Sequence, residues 1–111
     1  MNPGVYLISI AVQGQAPIGN GIAVLDGARI HGGDKSGLYR GHYQENLGRA
    51  TATIEIVRYG MASPIYGSFK SVNLTLQGES KAGEFTLTGS AREQPKVILV
   101  IRGIWKMPLT P

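Results

Sequence analysis

The residues best equipped for chemistry lie together at positions 31–41, HGGDKSGLYRG, where His31, Asp34, Lys35 and Ser36 are set among four glycines. A nucleotide-binding P-loop needs Lys followed by Ser or Thr directly after its last glycine, on the first turn of a helix whose amides hold phosphate. Lys35-Ser36 follows Gly32-Gly33-Asp34, but the segment after it reads as strand. The dinucleotide fingerprint needs the same helix, and the second glycine-rich run, QGQAPIGNG at 13–21, also leads into a strand. Neither run is a phosphate cradle.

Metal ligation and nucleophilic catalysis are the other two chemistries to weigh. His31, Asp34 and His42 have the composition of a two-histidine, one-carboxylate set, yet their spacing fixes no geometry. Ser36 or Ser63 as nucleophile would need an oriented base and an oxyanion pocket, and the sequence shows neither. Glu45 and Glu55 would face each other only by register. The pattern points away from an enzyme and implies no metal and no cofactor. What it suits is architecture. Adjacent Gly32 and Gly33 give backbone angles closed to other residues, as a bulge or corner requires. Asp34 can accept from the amides ahead of it in an Asx-type turn. Gly41 leaves a gap over which Tyr39 or Tyr43, on the same strand face, can lean.

The elements that carry this stretch follow from composition and period. The chain has 111 residues, of which 42% are hydrophobic and 16% charged, with 16 glycines. That is enough for one domain, residues 1–111, with one core, and too apolar for a disordered chain. There are no cysteines, which excludes disulfides, thiolate nucleophiles and zinc-thiolate sites. The apolar run Val5 to Val12 is too short to span a bilayer and has no basic leader before it, so the expectation is a cytoplasmic protein with no membrane partner. The net charge is +4, but the basic residues are spread along the chain rather than clustered with aromatics, which argues against a nucleic-acid partner.

Period-2 alternation and turn residues together predict eight strands: Gly4–Val12, Gly21–Leu25, Ala28–His31, Leu38–Glu45, Arg49–Tyr59, Ser71–Gln77, Glu84–Arg92 and Lys96–Trp105. Asp26-Gly27 is a two-residue hairpin signal, and Pro95 marks a corner. No segment keeps a helical apolar stripe. Eight short strands joined by tight turns predict an all-β fold, a single antiparallel up-and-down barrel, because closure removes the unpaired edges. Two segments, VYLI at 5–8 and VILVI at 97–101, are apolar on both faces. As neighbours in a closed meander they would form one covered patch, predicting a homodimer face at Tyr6, Ile8, Ile98 and Val100.

The stretch VLDGARIHGGDKSGLYRGHY at 24–43 resembles the GrlR-like family, negative regulators of type III secretion. The shared order is a strand, a D-G turn, a short strand, then G-G-D and an aromatic-x-G strand. The family-motif positions here are Gly32, Gly33, Asp34, Tyr39, Gly41 and Tyr43. The N-terminal G-V-Y-x-I and the G-x-x-V-L strand also match, so the likeness covers residues 4–59. It implies a lipocalin-like eight-stranded barrel, a homodimer, and regulation by docking on a partner protein. Family members do this through an acidic loop. The corresponding positions, Gln44, Glu45, Asn46, Leu47, Gly48 and Arg49, keep one acid and gain a base, so the acidic element is absent. The resemblance also implies an apolar cavity for a small lipid-like ligand, whose lining here would be Ile54, Ile56, Val72, Leu74, Leu76, Phe85 and Leu87. The competing expectation is an interior filled by those side chains. The function expected is therefore a non-enzymatic, regulatory protein-binding module, with carriage or sensing of a small apolar ligand as the alternative.

Overall fold

The computed structural model describes residues 1–60, 63 and 65–110. Eight strands follow one another: β1 Gly4–Val12, β2 Pro17–Asp26, β3 Arg29–Gly33, β4 Gly37–Asn46, β5 Arg49–Arg58, β6 Ser71–Lys81, β7 Glu84–Ala91 and β8 Gln94–Met107. Each pairs antiparallel with the next, and β8 returns to β1, closing an all-β barrel with strand order equal to chain order. Among the described residues no helix is long and apolar enough to cross a membrane.

The alternation that predicts the strands is the alternation that buries them. Leu74, Leu76 and Val72 of β6 face inward while Thr75 and Gln77 face out. Phe85 and Leu87 of β7 do the same against Thr86. Fully burying one such side chain contributes about 1.5–3 kcal/mol. Tyr6 and Phe85 meet across the interior with ring centroids 5.3 Å apart at 48°, a tilted contact that aromatic quadrupoles favour.

Several boundaries differ from expectation. β2 begins at Pro17, within the glycine-rich run expected to be loop; a proline fits there as the first residue of the strand, opposite Ala11. Pro95 likewise lies inside β8, at its exposed start. The β2–β3 turn is Gly27-Ala28 rather than Asp26-Gly27, since Asp26 pairs with Arg29. Gly27 has φ of 64°, matching the II′ turn's demand for glycine at its first central position. Gly32 and Gly33 are not the corner. Both sit in β3 without left-handed angles, and Gly32 is required by close approach: a methyl there would strike the Ile22 carbonyl oxygen.

The phase of β1 is the largest correction. Tyr6 and Ile8 face the interior and are buried, so neither belongs to an outer dimer face. Tyr6 lies opposite Trp105 and Ile8 opposite Gly103, and these inward partners set the register. Ile98 and Val100 do point outward and are half-buried. The end strands also carry an exposed outward apolar pair, Leu7 and Ile104, directly opposite each other.

Candidate functional site

Three regions can act on another molecule: the barrel interior, its mouth beside Asp34, and its outer wall. The interior is filled. Ile54, Ile56, Leu74, Leu76, Phe85 and Leu87 line a void of only about 30 Å³, against the ~300 Å³ at the low end of ligand pockets. Val72, the seventh expected lining residue, is fully buried in the same core but does not line that void. In this conformation the seven residues form a packed core and leave no room for a lipid-like ligand.

At the mouth, the turn between β3 and β4 is built on Asp34. Its Oδ1 accepts from the Ser36 amide at 2.7 Å, the Ser36 hydroxyl at 2.8 Å and the Gly37 amide at 3.0 Å. This is the expected Asx-type turn. Its Oδ2 accepts from the Tyr39 hydroxyl, while Tyr59 donates to the Asp34 carbonyl oxygen at 2.8 Å. The Ser36 hydroxyl also lies 3.1 Å from the hydroxyl of Tyr66, a side chain with 0% exposure. Burial works to raise the Asp34 pKa, but donation from Tyr39, Ser36 and Gly37 outweighs it and holds the carboxyl below its ordinary range. Burial, then the bond to Asp34, pushes the Tyr39 phenol far up, so Tyr39 stays a donor. Beside this knot a cleft of about 350 Å³ is lined by Ile10, Ile18, Asn20, Lys35, Ser36 and Ser63 among others.

The arrangement locks a turn. Every oxygen of the carboxylate is spoken for, and Ser36 faces Asp34 and Tyr66 with no histidine beside it. The conceivable metal set does not assemble either: His31 and His42 lie on the outer wall opposite Arg40 and Arg29, while Asp34 is held by Tyr39. Tyr39 and Tyr43 flank Gly41 on the inner face and are buried. Ser36, weighed above as a nucleophile, serves this network instead, and Tyr59 and Tyr66 are members that sequence reasoning missed; the available signal was a pair of apolar side chains, Ile65 and Tyr66, inside a stretch otherwise read as loop.

The opposite end holds the positions of the family's partner-binding loop. Gln44, Glu45 and Asn46 end β4, Leu47 and Gly48 form the turn, and Arg49 begins β5. The one retained acid is engaged within the molecule, since Glu45 accepts from the Met1 amine and the Ser80 hydroxyl. Leu47 is 96% exposed and has φ of 53°, followed by Gly48 at 79°. Two left-handed residues make a type I′ turn, where Asn-Gly is favoured. A leucine in that conformation costs about 1–2 kcal/mol.

The outer wall has two characters. Ile104, Leu7, Ile22, Gly33, Leu38 and Val57 are successive cross-strand neighbours from β8 through β5. The five apolar members are 38–56% exposed. At about 4.8 Å per strand the row runs roughly 24 Å. On β5 to β7 the same positions carry hydroxyls and amides. Thr51 faces Gln77, which faces Thr88, and Thr53 faces Thr75, which faces Ser90. This second wall lines a broad depression of about 640 Å³.

The fold class is thus a closed, eight-stranded, antiparallel barrel with a packed interior. No model of a known protein family matches the chain, and no curated protein matches it by sequence. The likeness to GrlR-like regulators accordingly stands on the residues quoted for it at 4–59.

Proposed function

We propose that this protein is a non-enzymatic binding module of regulatory type, lipocalin-like in architecture and cytoplasmic in its site of action, that works by docking its outer wall on protein. The observation that carries the reading is the apolar row Ile104–Leu7–Ile22–Leu38–Val57. Half-exposed branched side chains scattered singly are ordinary on protein surfaces, but a contiguous row is a contact site. The packed interior supports the same direction, because it leaves the surface to carry the function rather than a cavity.

The first partner is a second copy of the chain. Leu7, Ile22 and Ile104 occupy three adjacent strands, β1, β2 and β8, and a two-fold axis over them lets each patch cover its twin. This replaces Tyr6 and Ile8 in the expected dimer face and keeps the two end strands at its centre. The second partner is the regulated protein. Leu47, held out at the β4–β5 tip in a costly conformation, supplies an apolar anchor where family members carry acids. Strain retained at an exposed position marks a functional site.

Sedimentation equilibrium at micromolar concentration tests the reading. The wild-type chain is expected as a dimer and Ile22→Glu as a folded monomer. A monomeric wild type, or a dimer unaffected by Ile22→Glu, overturns the interface.

A further inference from the structure

We propose that the outer wall of β3 and β4 carries an oxyanion site for a phosphate group. Four side chains define it. Arg29 lies directly opposite His42, and His31 directly opposite Arg40, so two guanidinium groups and two imidazoles alternate at the corners of a square. All four are exposed. The chain has only two histidines, and both are here.

The square surrounds a hollow. Arg29, His31, Arg40, Gly41, His42 and Glu55 line a depression of about 300 Å³. The Gly41 backbone lies between Arg40 and His42 at this depression. Donors on long side chains around a recessed floor suit a tetrahedral oxyanion, which takes hydrogen bonds from several sides, and guanidinium forks are the groups best shaped to give them.

Free donors are present as well. Among the described residues Arg29 has no carboxylate within ion-pair distance, and the side chains of His31 and His42 make no hydrogen bond. Arg40 is held through Nε to Glu55 at 2.7 Å.

On β2 Asp26 faces Arg29 and Val24 faces His31; on β5 Glu55 faces Arg40 and Thr53 faces His42. Arg40 gives only its Nε to Glu55, which leaves its other guanidinium donors for an anion.

Amide spectra of the full chain, titrated with sulfate, test this. Saturable shifts are expected at residues 29, 31, 40 and 42. Arg29→Gln should weaken binding about tenfold, the loss of one charge-assisted donor group, and His31→Gln with His42→Gln should shift the remaining response at residues 29 and 40. All three positions are exposed, so the variants keep the wild-type spectrum elsewhere.

Glycerol phosphate and vesicles of phosphatidic acid in phosphatidylcholine separate the two sources of the group. Response to the soluble ester identifies a small metabolite, and flotation only with phosphatidic acid identifies a lipid headgroup. Absence of saturable shifts, shifts scattered over all basic residues, or binding unchanged in Arg29→Gln overturns the site. So does tighter binding of an oligonucleotide than of the monoester, which would assign the square to nucleic acid.

Discussion

The two outer walls of the barrel are built on the same sheet and differ in what they show to water. On β5 to β7 one outward band carries Thr51, Thr53, Thr75, Gln77, Thr88 and Ser90. Across β8, β1, β2 and β4 another carries Ile104, Leu7, Ile22 and Leu38. Threonine is β-branched and fits a strand as isoleucine does, so the hydroxyl band shows that strands of this barrel pair without apolar side chains outside. Strand pairing therefore does not demand the apolar row, and the proposed contact rests on it.

That contrast can be broken at graded depths. The largest effect should come from the core both walls share: Leu76→Ala, at a fully buried inward position, should cost about 2–5 kcal/mol in denaturant unfolding. Asp34→Ala should cost about 3 kcal/mol, since it strands the Tyr39 hydroxyl and the Ser36 and Gly37 amides. The sign of its pH dependence follows from the lowered carboxyl. Stability from Asp34 is complete above the ordinary carboxylate pKa, about 4, and disappears as pH falls through the folded value. Asp34→Ala should lack that acid-side loss; an unchanged slope would remove the ion from the account. Leu47→Gly, which relieves a left-handed leucine, should raise stability by about 1 kcal/mol while weakening capture of the regulated partner. Smallest of all, Leu7→Thr and Thr53→Val exchange the characters of the two walls and should each stay within about 0.5 kcal/mol. Only Leu7→Thr should loosen self-association.

Most of the fold was legible because strand period is a local property. The alternation in Ser71–Gln77 and Glu84–Arg92 fixed which residues of β6 and β7 face inward, and β1 spans the predicted Gly4–Val12. Phase failed where alternation is absent. In VYLI every residue is apolar, so nothing local says whether Tyr6 or Leu7 is inside; the decision is made by Trp105 and Gly103 across the barrel seam. Gly32 misled for a related reason, since its need is the approach of the Ile22 carbonyl on another strand. The Asp34 turn was visible in GGDKSG, but the phenols that complete it come from 25 and 30 residues away. The Arg29, His31, Arg40, His42 square was hidden likewise, because basic residues evenly spaced along the chain become a cluster only when β3 folds onto β4.

Amide spectra recorded over a series of protein concentrations test the central claim most directly. Concentration-dependent shifts should gather at Leu7, Ile22 and Ile104, while Thr53, Thr75 and Thr88 stay still. Shifts on the threonine wall instead, or spectra unchanged by concentration with a monomer's tumbling time, would contradict it.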